Sequence, residues 1–140
     1  MDNVITNSLI HEEIGRSSNG RGGSTALCVV FPDKKSFYIV NLGDSNIALL
    51  KEGESLNIIN KIHNLTIESE RDMVTNRGGF ILMKNNSYRL QGDLVLSRSF
   101  GDYFYKEFLS VEPDIYKFNI QENDKYLILA TDGFWKVNSL

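Results

Sequence analysis

Four aspartates abut a glycine in this chain: Gly43-Asp44, Gly92-Asp93, Gly101-Asp102 and Asp132-Gly133. Such pairs are common turn formers, so a structural role is the first expectation for each. Asp132 stands apart by what precedes it. Tyr126-Leu127-Ile128-Leu129-Ala130 is a continuous apolar run, which reads as a strand buried on both faces. A carboxylate at the end of such a strand is costly to bury without a partner. A hard divalent cation is one good partner, and Gly133 would let the backbone turn sharply beside it. The pattern points to a metal-assisted site at Asp132.

Other chemistries find less support. Arg21-Gly22-Gly23-Ser24-Thr25 has the glycines of a phosphate loop but lacks the lysine, and a strand rather than a helix follows it. It reads as a flexible turn into a buried strand. His11 and His63 have no Cys, His or acid at ligand spacing, which argues against zinc. His63 reads as a polar strand-end residue rather than a base. No Gly-x-Ser-x-Gly elbow is present, which argues against a serine hydrolase.

The elements that must position these residues follow from periodicity and punctuation. Val4, Ile5, Leu9, Ile10 and Ile14 recur at helical spacing, and residues 15–23 read as a mobile loop. Strands are expected at Thr25 to Phe31, Ser36 to Leu42 and Asn46 to Lys51. The short turns at Pro32 to Lys35 and Gly43 to Ser45 imply an antiparallel meander, with Leu56 to Ile62 pairing back as a fourth strand. Thr66 to Arg77 reads as a helix capped by Thr66, with Glu68 and Glu70 at its positive end and Gly78 past its C-terminus. A hairpin follows, Phe80 to Met83 and Tyr88 to Leu90, turning at Asn85-Asn86, then a short strand Leu94 to Leu96. Ile115 to Ile120 alternates apolar and polar before the strand ending at Asp132. The fold class is α+β, and residues 1–140 read as a single domain.

Composition narrows the setting. At 41% hydrophobic and 24% charged, the chain can bury a core and has an ordinary surface. The net charge of −3 and the absence of a Lys/Arg-rich run argue against nucleic acid. No apolar run approaches a membrane span, and Met1-Asp2-Asn3-Val4 is no secretory signal. The single cysteine, Cys28, lies in an apolar run and reads as a buried, inert thiol, consistent with a cytoplasmic or nuclear location.

The order of several segments is more specific than any one of them. Gly22-Gly23-Ser24-Thr25-Ala26-Leu27 is followed by Val40-Asn41-Leu42-Gly43-Asp44-Ser45, then Arg77-Gly78-Gly79. After these come Leu94-Val95-Leu96-Ser97-Arg98-Ser99-Phe100-Gly101-Asp102, Val111-Glu112-Pro113-Asp114-Ile115 and Leu129-Ala130-Thr131-Asp132-Gly133-Phe134-Trp135. Across residues 21–137 this resembles the central portion of the metal-dependent, type 2C (PPM-type) protein serine/threonine phosphatases. The resemblance implies an αββα sandwich of two antiparallel sheets flanked by helices. It also implies Mg or Mn ions that activate water for attack on phosphoserine or phosphothreonine in a phosphoprotein substrate. Asp132 matches a metal ligand of the family. Asp44 and Asp102 match aspartates that support the site, and Gly133 accompanies Asp132.

The same resemblance marks departures. The family's phosphate-binding arginine, its Asp-Gly-His segment and its later metal aspartate have no counterpart here, so no catalytic residue is assigned and the domain reads as truncated. Ile62 stands where an aspartate precedes the histidine, and Lys136 replaces an acid, reversing the local charge. One carboxylate cannot supply two hard cations that each want about six oxygens. The chain is therefore expected to be inactive or incomplete as it stands. The alternative is a non-catalytic pseudophosphatase serving as a protein-interaction scaffold. Open strand edges would make the isolated chain marginally stable or prone to associate.

Overall fold

The computed structural model describes residues 22–137. The expected helix over residues 4–14 lies outside them. In chain order the strands are β1 (Gly23–Ser24), β2 (Ala26–Val30), β3 (Ser36–Leu42), β4 (Asn46–Lys51), β5 (Asn57–Ile58), β6 (Ile81–Lys84), β7 (Ser87–Leu90), β8 (Phe100–Gly101), β9 (Asp114–Asn119) and β10 (Asp124–Ala130). The helices are α1 (Glu68–Asn76) and α2 (Asp132–Val137), with a 3-10 turn at Tyr103–Tyr105. The expected α+β class holds. Contacts gather the chain into two compact units. Residues 26–62 and 113–137 form a sheet unit, and residues 22–25 and 63–112 form a helix-containing unit.

The sheet unit carries two antiparallel sheets, ordered β2-β3-β9 and β10-β4-β5. The bounds of β3 and β4 are those the sequence predicts, but the expected meander breaks between them. Both edges of β3 are already taken, with Ile39 opposite Val29 on one side and Tyr116 on the other. Thus β4 leaves for the second sheet through the Gly43–Ser45 turn. Of the expected fourth strand only Asn57–Ile58 pairs with β4. Phe37, Ile39 and Ile47 are buried together, with Leu27, Val29, Tyr116, Phe118 and Leu127 packed against them. This core joins side chains from both sheets. Each fully buried large side chain contributes about 1.5–3 kcal/mol. The Phe37 and Phe118 rings stack at 5.2 Å.

Two burial expectations are corrected here. Among the described residues β10 is the outer member of its sheet, not a strand buried on both faces, and Tyr126 and Leu129 are 67% and 43% exposed. Cys28 is exposed rather than buried. Strand side chains alternate, and Leu27 and Val29 take the core face of β2, so Cys28 points the other way.

In the second unit α1 is capped one residue later than expected. Its N-cap is Ile67, which offers no side-chain bond, while the Thr66 hydroxyl instead donates to Asn64 Oδ1. The C-terminal glycine is as expected. Gly78 has φ 85°, and the amides of Gly78 and Gly79 donate to the carbonyls of Thr75 and Val74, each at 2.9 Å. A Cβ at Gly78 would meet only Phe108, at 4.0 Å, so the backbone angle alone demands glycine. Gly78→Ala should therefore cost about 1 kcal/mol without repacking, read as a lower urea midpoint with an unchanged slope. The β6–β7 hairpin turns at Asn85 and Asn86, both at positive φ. Gly23 and Ser24 pair with Gly101 and Phe100, so this end of the expected flexible turn is a short strand. Leu94 and Leu96 form isolated bridges instead of a strand. Leu65, Val74, Leu90 and Leu109 make the core of this unit. Among the described residues no helix is long and apolar enough to cross a membrane.

Candidate functional site

The register of β4 and β10 brings two of the four aspartates together. Leu129 lies opposite Ile47 and Ala130 opposite Asn46. Both chains then leave the sheet at the same end, Asp44 preceding β4 and Asp132 following β10. Antiparallel pairing converts a long sequence separation into a shared sheet end.

Asparagine side chains hold the Asp44 turn. Asn41 is fully buried, and its amide donates to the carbonyls of Gly43 at 3.3 Å and Lys61 at 2.8 Å. Asn60 accepts from the Ile47 amide at 2.8 Å and donates to the Ser45 carbonyl at 3.0 Å. Each asparagine acts as donor or acceptor where the backbone has left its sheet ladder. Sequence reasoning missed both residues, and the only available signal was a strand-disfavoured asparagine inside Val40-Asn41-Leu42.

On the other side, β10 ends at Ala130 and α2 begins at Asp132. Trp135 Nε1 donates to the Ala130 carbonyl at 2.9 Å and Phe134 N to the Thr131 carbonyl at 3.1 Å, folding α2 back against the strand end. The Phe134 and Trp135 rings meet edge to face at 5.0 Å. Asp132 is thus a first-turn helix residue, where a carboxylate is favoured. Gly133 is helical too, and a Cβ there would meet nothing within 4 Å, so the sharp turn expected at it is not present.

Charge at this end is shared among three groups. Burial pushes the Asp44 carboxyl above its ordinary range, the negative charge of Asp132 adds to the rise, and Lys136 opposes it. Asp132 is shifted the other way. Lys136 Nζ bonds its Oδ2 at 2.5 Å and lowers its pKa, and the Lys136 ammonium is correspondingly raised.

Asp102 belongs to the other unit and its side chain is occupied there. Its Oδ2 accepts from Ser99 Oγ at 2.6 Å, and its amide donates to the Gly22 carbonyl at 2.8 Å. Burial pushes its carboxyl up, and Lys106, whose ammonium donates to the Ser99 carbonyl at 3.1 Å, partly offsets this. Asp93, the fourth Gly-Asp residue, accepts from the Tyr105 hydroxyl at 2.8 Å. His63 is buried, close enough to Glu70 to lower the carboxyl's pKa, and its carbonyl accepts from the Ser97 amide at 3.3 Å.

The family model for Protein phosphatase 2C matches residues 2–139. The chain belongs to the protein phosphatase 2C family. It is 42% identical over 120 residues to "Probable protein phosphatase 2C 28" of Arabidopsis thaliana, a match covering 85% of this chain and 35% of that protein. It is 39% identical over 119 residues to "Probable protein phosphatase 2C 41" of Oryza sativa subsp. japonica, covering 84% and 41%. Among solved structures it resembles a Caenorhabditis elegans sex determining protein, with a TM-score of 0.81 and 29% identity over 94% of this chain and 33% of that one. The serine-threonine phosphatase 2C of Toxoplasma gondii shares the fold, with a TM-score of 0.82 at 24% identity, covering 96% and 49%. The chain thus spans roughly two fifths of the protein phosphatase 2C relatives it matches.

Protein phosphatases 2C are Mg- or Mn-dependent, so the carboxylates can be tested against such an ion. Among the described residues no three or more His, Cys, Asp or Glu side chains are grouped to hold one. Asp44 and Asp132 are the carboxylates at the shared sheet end, and the Lys136 ammonium sits on Asp132 Oδ2. A hard cation wants six or more oxygens. The described side chains alone do not fit a divalent ion.

Proposed function

We propose that this chain is part of a metal-dependent protein serine/threonine phosphatase domain whose substrates are phosphoserine and phosphothreonine in phosphoproteins. Asp132 is its metal-ligating carboxylate. Asp44 and Gly133 support it, and Asp102 supports the residue 22–24 segment of the other unit. The observation that carries this reading is the convergence of Asp44 and Asp132 at one sheet end, within a chain whose family match spans nearly all of it. The net charge of −3 and the lack of a basic run support a protein partner rather than nucleic acid.

The described residues supply too few oxygens to run this chemistry unaided, so the 140-residue chain by itself is expected to be inactive. Phosphopeptide hydrolysis should stay at the buffer rate in millimolar Mn²⁺. Turnover that disappears in Asp132→Ala would reverse this expectation and make the chain an enzyme in its own right. The Asp132–Lys136 ion pair favours a second reading, a non-catalytic scaffold that keeps the fold. Retention of phosphoprotein binding in Asp132→Ala without turnover would support it.

A further inference from the structure

The sheet unit holds a cavity of about 220 Å³ at the end of its two sheets away from Asp44 and Asp132. β10 runs between the two ends, with Asp124 at its start beside the cavity and Asp132 just past its finish. Phe37 and Leu49 are buried in the lining, whereas Phe31, Ile120 and Tyr126 are exposed around it. The Phe31 and Phe37 rings lie 5.7 Å apart, tilted by 38°. Two charged residues stand among these apolar ones. Lys125 is paired with Glu52 at 2.9 Å. Asp124 is less well served. Its Oδ2 accepts from the Gln121 amide at 2.9 Å, but its Oδ1 is buried and finds no hydrogen-bond donor, with the Lys51 ammonium at 3.6 Å. A buried carboxylate oxygen without a donor is costly, and a ligand that brings one removes that cost.

We propose that this cavity binds a small aromatic ammonium ion, with its ring among Phe31, Phe37 and Tyr126 and its cationic arm donating to Asp124 Oδ1. Size sets the ring count. A cavity of roughly 150 Å³ admits benzene and drug-sized ligands need about 300 Å³ or more, so this one suits a single ring with a short arm. Charge sets the arm. An alkylammonium stays protonated at neutral pH and brings three donors to a carboxylate. The aromatic faces attract a cation as well and offer nothing to an anion. Lys51 leaves room for it, because 3.6 Å is longer than a hydrogen bond and its flexible, 28% exposed side chain can turn to water. The site does not depend on the reading of Asp132.

The test is titration of the isotope-labelled 140-residue chain with phenethylammonium, followed by its amide chemical shifts. The shifts should saturate at millimolar ligand and centre on Phe37 and Asp124 to Leu127. Phenylacetate has a like ring and arm with the opposite charge, and should bind roughly tenfold or more weakly. Asp124→Asn keeps an acceptor for the Gln121 amide while removing the charge, and should weaken phenethylammonium roughly tenfold. Phe31→Ala removes an exposed wall beyond the end of β2 and should weaken it too. Equal affinity for the two probes, shifts centred elsewhere, or no saturable shift in the parent would overturn the proposal, and these comparisons need no variant. Undiminished affinity in Asp124→Asn would overturn it as well. So would shifts at the same residues on raising protein concentration without ligand, because a second copy would then fill the cavity.

Discussion

Arg98→Ala should destabilise the fold by about 3 kcal/mol, the largest loss expected from removing a single side chain outside the apolar cores. Glu70 projects from α1 and is almost fully buried. Its Oε2 accepts from Ser97 Oγ at 2.6 Å and Arg98 Nε at 3.0 Å, and its Oε1 accepts from Arg98 Nη2 at 2.6 Å. Arg98 Nη1 reaches on to the Glu112 carbonyl at 3.0 Å. One guanidinium thus ties the helix to both ends of the segment that follows the hairpin. Burial raises the Glu70 pKa, but the bonds from Arg98 and Ser97 outweigh it and the net shift is downward. Truncating Arg98 leaves a buried carboxylate with the Ser97 hydroxyl as its main compensation. Arg98→Lys should rescue little, because an ammonium cannot present two parallel donors.

The sign of the pH dependence follows from the direction of that shift. A carboxyl with a depressed folded pKa contributes stability above its unfolded pKa, and that contribution is lost as pH falls through the folded value. The parent should therefore lose stability below the ordinary glutamate pKa. In Arg98→Ala the Glu70 pKa rises, and protonation relieves the buried charge, so the deficit should shrink in mildly acidic solution. Urea melts at neutral and mildly acidic pH measure both effects. A deficit that does not change with pH would mean that Arg98 acts through packing rather than charge.

What the sequence made legible was local. The bounds of β3 and β4 were readable because Pro32–Lys35 and Gly43–Ser45 punctuate two apolar runs. Their assignment to different sheets was not, because β3 pairs with β9 and β4 with β10, strands from the far end of the chain. The same gap explains Cys28 and the outer position of β10. An apolar run states that a strand can be buried, whereas its neighbours in the sheet decide which faces are. Asp132 was conspicuous as an acid closing an apolar run, but its pairing with Lys136 appears only with α2, which stands where a turn was expected. Asn41 and Asn60 left no comparable pattern, because their partners are backbone atoms of the Asp44 turn. Asp102 was visible as a family position, yet what it touches comes only from the fold.

That contact carries the second large effect. Gly23→Ala should cost about 3 kcal/mol, and Asp102→Gly should rescue it. A Cβ at Gly23 would stand 2.0 Å from Asp102 Oδ2 and 2.3 Å from its Cγ. The carboxylate has little room to yield. Ser99 Oγ holds its Oδ2, the amide of Asp102 is bonded to Gly22, and its backbone sits at φ 49°, a left-handed angle that few side chains tolerate. Asp102→Gly removes the obstacle and suits that angle, so alone it should cost only about 1 kcal/mol for the lost Ser99 bond. The double variant should then be close to Asp102→Gly, a coupling of about 3 kcal/mol in the cycle. Additive losses would mean that the residue 22–24 strand shifts away at no cost and that Asp102 does not clamp it. A clamp on β1 predicts that Asp102→Gly loosens residues 22–24, seen as faster amide exchange at Ser24.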